Sequence, residues 1–176
     1  ALGQKYSREV FWKPFLLGAV FQINGQTPLK DQALKWEYSI RDIERCARRN
    51  NIDWVLPEIF PIPTQAAGRA FYWINEQDKG VAKSFALKIY NEYFSKGNDI
   101  RSKEVVANIS EELGMDKKAC LDSMDNNFYK EKLKNVTSDA IERKVCGSPF
   151  IFIDEEPFWG NDRLDMVDQW LESGGW

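Results

Sequence analysis

The sequence has no histidine. That removes Ser-His and Cys-His nucleophile pairs, and histidine-ligated metals, from what the chain can carry by itself. Cysteine is scarce. Cys46, Cys120 and Cys146 stand far apart, are odd in number and form no Cys-x-x-Cys. The simple reading is free thiols in a reducing, cytoplasmic setting. No apolar run approaches the ~18–20 residues of a membrane-spanning helix, and no signal peptide is visible. Internal repeats and low-complexity tracts are lacking. Excess positive charge is lacking too: the net charge is −3 and the pI about 5.2. That balance argues against a nucleic-acid binder. The one basic cluster, Arg41, Arg45, Arg48 and Arg49, reads as a surface cluster at a helix end, where cations suit the dipole.

What is present suits one globular domain. The chain has 176 residues, 43% of them apolar and 29% charged, enough for a real core. The most informative stretch is residues 140–165, AIERKVCGSPFIFIDEEPFWGNDRLD. Val145-Cys146-Gly147 closes a helix, with Gly147 as its stop. Phe150–Ile153 is a continuous β-branched and aromatic run, which reads as a strand buried on both faces. Asp154–Pro157 is a turn, and Phe158-Trp159 begins a return strand. A new helix starts at Gly160 or Asn161, with Asp162 in its first turn and Leu164, Val167 and Leu171 at helical spacing. A proline at the head of a buried strand deletes a ladder donor. A cis Ser148-Pro149 bond accounts for it.

Two motifs in this stretch resemble a known family. Cys146-Gly147-Ser148-Pro149, then a hairpin, then Phe158-Trp159-Gly160-Asn161-Asp162-Arg163-Leu164, is similar to the C-terminal half of the 2-hydroxychromene-2-carboxylate isomerase and kappa-class glutathione transferase group. Ala140–Lys144 resembles the isomerase branch. The resemblance implies a DsbA-like thioredoxin fold of α/β class. A helical insertion then separates an N-terminal βαβ part from a C-terminal ββα part. The expected core is 1–29 with 140–176, and the expected insertion is 30–139. The resemblance also implies that the first strand, and the turn carrying a thiol-activating serine, lie upstream of Ala1. No catalytic residue is then expected within 1–176, and this chain alone is expected to be inactive.

The remainder reads in order. Residues 1–7 are a helix tail, Val10–Phe15 a strand, Phe15–Phe21 one or two helical turns, and 24–28 a loop. Asp31–Asn51 is a helix with a stripe of Leu34, Tyr38, Ile43 and Ala47. Lys35, Tyr38, Asp42 and Arg45 share another face, with an Asp42–Arg45 ion pair as its simplest content. Ile52–Pro63 is an extended connector. Thr64 caps a helix to Gln77, and Val81–Lys96 is a helix that ends at Gly97. Ser102 caps Lys103–Leu113. Gly114 stops it, Asp116 caps Lys117–Met124, and Asn126–Val145 is a long helix.

Glutathione is the cofactor that the resemblance implies. Its cysteinyl unit pairs with the backbone of Ser148, the residue before Pro149. Relatives usually carry Val or Leu there, so Ser148 makes the pocket more polar. The γ-glutamyl carboxylate suits free N–H groups near Asn161, and its ammonium suits Asp162. The glycyl carboxylate needs a cation, for which Lys35 is the candidate. Gln26 stands where relatives place an asparagine. Tyr38, Phe60 and Trp159 are candidates for a substrate pocket. Each has a plainer alternative: a fold-specifying turn at Ser148-Pro149, a helix-dipole carboxylate at Asp162, a solvated lysine at Lys35, core packing for the aromatics. Cys146 reads as an inert thiol.

The expected function is a glutathione-dependent isomerase of the 2-hydroxychromene-2-carboxylate type in aromatic-compound breakdown. It takes a small aromatic substrate, no metal, no nucleic acid and no membrane, with a homodimer implied by the resemblance. The alternatives are a kappa-like glutathione transferase, a DsbA-like oxidoreductase if a Cys-x-x-Cys lies upstream, and a non-enzymatic binding protein.

Overall fold

The computed structural model describes residues 2–176. The core is built by helices whose apolar positions recur every three or four residues. In α4 (Gln65–Gln77), Ala67, Ala70, Phe71 and Ile74 are buried; in α5 (Lys79–Phe94), Ala82, Phe85, Ile89 and Tyr93 are. α6 (Lys103–Glu111), α7 (Lys117–Asp125) and α8 (Asn127–Glu142) close around them with Val106, Ile109, Cys120, Met124 and Leu133. α4 sits at the centre, packed on α5, α6, α7 and α8. Gly68 lets α4 approach Leu133 of α8: a Cβ there would stand 3.2 Å from both Leu133 methyls.

Local capping chemistry sets most of these boundaries. Ser102 Oγ, Asp116 Oδ1 and Asn126 Oδ1 accept from the N–H groups of Val105, Ala119 and Phe128. Gly114 ends the α6 region at φ 82° and Gly97 follows α5 at φ 73°. At two helix starts the capping differs from the sequence reading. Thr64 precedes α4 but its side chain makes no capping bond. Asp78, in contrast, caps α5 through Gly80 and Val81, so that helix begins two residues before Val81.

Before this bundle lie α1 (Leu2–Lys5), α2 (Leu17–Asn24), a 3-10 turn at Leu29–Asp31 and α3 (Ala33–Arg49). α2 buries Val20 and packs on α8, where the Leu16 N–H donates to Thr137 Oγ1. The 139/140 division falls inside α8.

Val10–Phe15 is not a strand. A strand exists only through its ladder, and no main-chain hydrogen bond reaches 10–15 from another described residue. Val10, Phe11 and Trp12 are exposed. The stretch is held instead by side chains: Arg8 pairs with Asp154, Lys79 with Glu9, and Tyr72 donates its hydroxyl to Pro14 O.

The α3 stripe also needs correction. Leu34 is 87% and Tyr38 62% exposed, and Ala47 is the buried residue of the helix. The inner line runs instead through Trp36, whose indole stacks on Phe60 with centroids 5.6 Å apart. Arg45 and Asp42 make the expected surface ion pair.

At the C-terminal end β1 (Phe150–Ile153) and β2 (Glu156–Trp159) form an antiparallel hairpin with Phe150 opposite Trp159 and Ile153 opposite Glu156. The register leaves Asp154 and Glu155 as a two-residue turn, with Asp154 at φ 56°. The return strand therefore starts at Glu156, two residues before Phe158. β1 is half-buried throughout, not buried on both faces, because only β2 flanks it among the described residues. A 3-10 turn, Asn161–Arg163, leads into α9 (Leu164–Ser173), whose Val167 is buried and whose Leu164 is exposed.

α1 is clasped to α9. Lys5 Nζ and the Tyr6 hydroxyl both donate to the Asp168 carboxylate. These bonds, the Lys5 bond first, hold the Asp168 carboxyl below its ordinary 3.8. A depressed carboxyl pKa stabilises above the unfolded value and is lost as pH falls through the folded one. Amide protection in α1 is thus expected to hold from pH 7 to 5 and to vanish only well into the acid. Asp168→Ala should abolish that protection at every pH with little change in the global melt. Hydrogen exchange reads both; protection that fades between pH 7 and 5 would refute the clasp.

Candidate functional site

The hairpin and its two flanks make one corner of the molecule. α8 does not run on to Val145. It ends at Glu142, and Lys144, at φ 64°, reverses the chain while the Val145 N–H donates to Ala140 O. Gly147 is therefore not the helix stop. Its role is steric: a Cβ there would stand 2.2 Å from Trp159 Nε1 and 2.6 Å from Cε2. Only glycine lets the indole lie there.

The Ser148-Pro149 peptide is cis, as the sequence reading expects; Phe60-Pro61 is cis as well. Pro149 O accepts from the Gly160 N–H at 3.0 Å, which ties the Ser-Pro step to the turn after β2. Ser148 is exposed, and no main-chain bond among the described residues reaches its N–H or C=O. Gly160 has φ 112°, a value that suits glycine, and a Cβ there would meet Asp162 Oδ1 at 2.3 Å. The next main-chain bond runs from the Arg163 N–H to Gly160 O. The N–H groups of Asn161 and Asp162 precede it and so lack an intrahelical acceptor. Asn161 and Asp162 are exposed, and Arg163 lies 3.5 Å from the Asp162 carboxylate. Neither Gly160 nor Asn161 gives a side-chain cap.

Strand alternation sorts the hairpin side chains. Phe150, Phe152 and Trp159 share one face; Phe150 and Phe152 are 5.1 Å apart. The Arg143 guanidinium lies 3.6 Å from the Phe152 centroid and pairs with Glu155, fastening α8 to the hairpin turn. Phe158 points the other way, buried against Trp170 of α9.

Ser148, Pro149, Trp159, Asn161 and Asp162 thus come together. Lys35, Tyr38, Phe60 and Gln26 lie on other segments. Lys35 and Tyr38 project from α3, Phe60 is half-buried under Trp36, and Gln26 follows α2. No hydrogen bond, ion pair or ring contact among the described residues links these four to the corner. Cys146 is half-buried beside Val20, Ile23, Ile141 and Lys144. The sequence reading missed Gly147 as a site residue; its signal is a glycine one step before Ser-Pro with a tryptophan on the facing strand. Among the described residues no metal-binding cluster occurs, and no helix is long and apolar enough to cross a membrane.

Residues 1–172 match the DSBA-like thioredoxin domain. The chain belongs to that family. Its fold is the DsbA variant of the thioredoxin fold, here helix-rich with a small two-stranded sheet. Three relatives carry the name 2-hydroxychromene-2-carboxylate isomerase. Those of Pseudomonas putida, Sphingobium xenophagum and Pseudomonas sp. (strain C18) are 30%, 26% and 29% identical over 79%, 78% and 79% of this chain. The match spans 66%, 68% and 64% of their own lengths, so the chain spans about two thirds of them. A solved 2-hydroxychromene-2-carboxylate isomerase superposes with a TM-score of 0.85 at 27% identity. That match covers 98% of this chain and 84% of the other.

Proposed function

We propose that the protein is a glutathione-dependent isomerase of the 2-hydroxychromene-2-carboxylate type. The observation that carries the reading is the superposition on an isomerase of that name across 98% of the chain. The names of the three relatives support it.

The corner fits one end of glutathione. A γ-glutamyl group brings a carboxylate and an ammonium together. The Asn161 and Asp162 N–H groups suit the first, and the Asp162 carboxylate suits the second. The exposed, unpaired N–H and C=O of Ser148 suit a peptide unit laid alongside as a short strand. Lys35, on α3, and Gln26, just after α2, are left for the glycyl end.

Glutathione held by Ser148, Asn161 and Asp162 would supply a thiolate nucleophile for reversible addition to the conjugated substrate. The residues of this chain orient both partners, and none of them is assigned the thiol-activating step. The test is turnover of 2-hydroxychromene-2-carboxylate by the full-length protein, with and without glutathione. Turnover that needs glutathione without consuming it is expected. Stoichiometric consumption would make the protein a transferase, and turnover at equal rate without glutathione would remove the cofactor.

A further inference from the structure

We infer that Trp159 selects planar aromatic substrates by stacking its open indole surface against them, an inference that rests on the isomerase reading. Trp159 is 55% exposed, and no ring among the described aromatic pairs covers it. Trp176 is more exposed, but its ring packs on Trp170. An uncovered indole is a large apolar surface left in water.

The indole is also fixed. Trp159 ends β2, opposite Phe150. Its neighbour Phe158 anchors the strand on α9 by the alternate face. The Nε1–Cε2–Cζ2 side of the ring rests against the bare Cα of Gly147. A ring seated on Gly147, carried by a strand that is itself paired and anchored, loses little rotamer freedom when a ligand arrives. Ser148 and Pro149 follow Gly147 directly, so the open surface borders the step that suits the peptide of glutathione. A substrate ring laid on Trp159 would lie beside that step.

Tyr38 and Phe60 are poorer platforms. The Phe60 ring is already stacked on Trp36, and Tyr38 stands on α3, with no glycine seat such as Gly147 gives Trp159.

The test uses the full-length protein and four forms: wild type, Trp159→Phe, Trp159→Leu and Gly147→Ala. Two acids of similar length probe binding by calorimetry: cinnamate, planar and conjugated, and 3-cyclohexylpropionate, neither. Trp159→Leu is expected to weaken cinnamate binding about 5–10-fold, the worth of one aromatic contact. The saturated acid should be unaffected, and Trp159→Phe should restore most of the loss. Gly147→Ala, which displaces the indole without removing it, should mimic Trp159→Leu. In turnover, KM for 2-hydroxychromene-2-carboxylate should rise by the same factor with kcat little changed. Equal loss for both acids, unchanged cinnamate binding, or a fall in kcat alone would overturn the inference. So would conversion of a dimer to monomers by Trp159→Leu, which would make the indole an interface residue. A wild-type protein without turnover would count against the isomerase reading, while the cinnamate comparison still decides the role of Trp159.

Discussion

Phe85→Ala is expected to lower the stability of the protein by ~3–5 kcal/mol, the usual result of emptying a buried phenylalanine site. Phe85 is 1% exposed and lies on the buried face of α5, the helix that packs on α4 and α6. Ala82 and Ile89 flank it on that face, one helical turn away on either side. The core cluster to which Phe85 belongs draws on five helices, so closing a hole in it means moving more than one of them. Stability of an ordinary domain is ~5–15 kcal/mol, and a loss of this size leaves a large share unfolded on warming. Urea titration followed by circular dichroism measures it. Phe85→Leu should lose less, because most of the volume is kept. A loss below ~1 kcal/mol in the alanine variant would mean that the α4–α5 contact is not the centre of the core.

The second large effect lies at the corner. Asp162→Ala is expected to weaken glutathione binding by about 10–100-fold, the ~1.5–3 kcal/mol of a charge-assisted hydrogen bond. The fold should survive, since Asp162 is exposed and its protein partner is the neighbouring Arg163. Asp162→Asn keeps the shape but not the charge, so it should recover little. A carboxylate that merely complements a helix start would behave otherwise. Both variants would then bind glutathione as wild type does and lose only ~0.3–1 kcal/mol of stability. Calorimetric titration beside thermal melts separates the two cases.

Much of the fold was legible because it follows local rules. Ser102, Asp116 and Gly114 mark helix ends by chemistry confined to a few residues, and the structure follows them. The hairpin was legible because a FIFI run, an acidic turn and a return aromatic fit one local pattern. Val10–Phe15 was not, because strand character belongs to a pair and the sequence cannot supply the partner. The stripe on α3 failed for a related reason: Leu34 and Tyr38 have the spacing of a buried face, but the bundle meets the helix at Trp36 and Ala47. Lys144, not Gly147, takes the left-handed end of α8, and no local rule favours lysine there.

The site divides in the same way. Ser148, Pro149, Trp159, Asn161 and Asp162 were legible as a group because they flank one hairpin, and hairpin pairing returns the chain to its start. Lys35 and Gln26 rest on resemblance alone. Their distance in sequence gives no register with the hairpin, and no hydrogen bond or ion pair among the described residues ties them to it.

The central claim is that glutathione docks at the corner made by Ser148 and the Asn161–Asp162 turn. Amide chemical shifts of the full-length protein, recorded during a glutathione titration, test it most directly. The account predicts that Ser148, Gly160, Asn161 and Asp162 shift together with one dissociation constant, and that Asp162→Ala weakens all four alike. Shifts confined to α3, or to the neighbourhood of Cys146, with the Asn161–Asp162 turn unmoved, would contradict it.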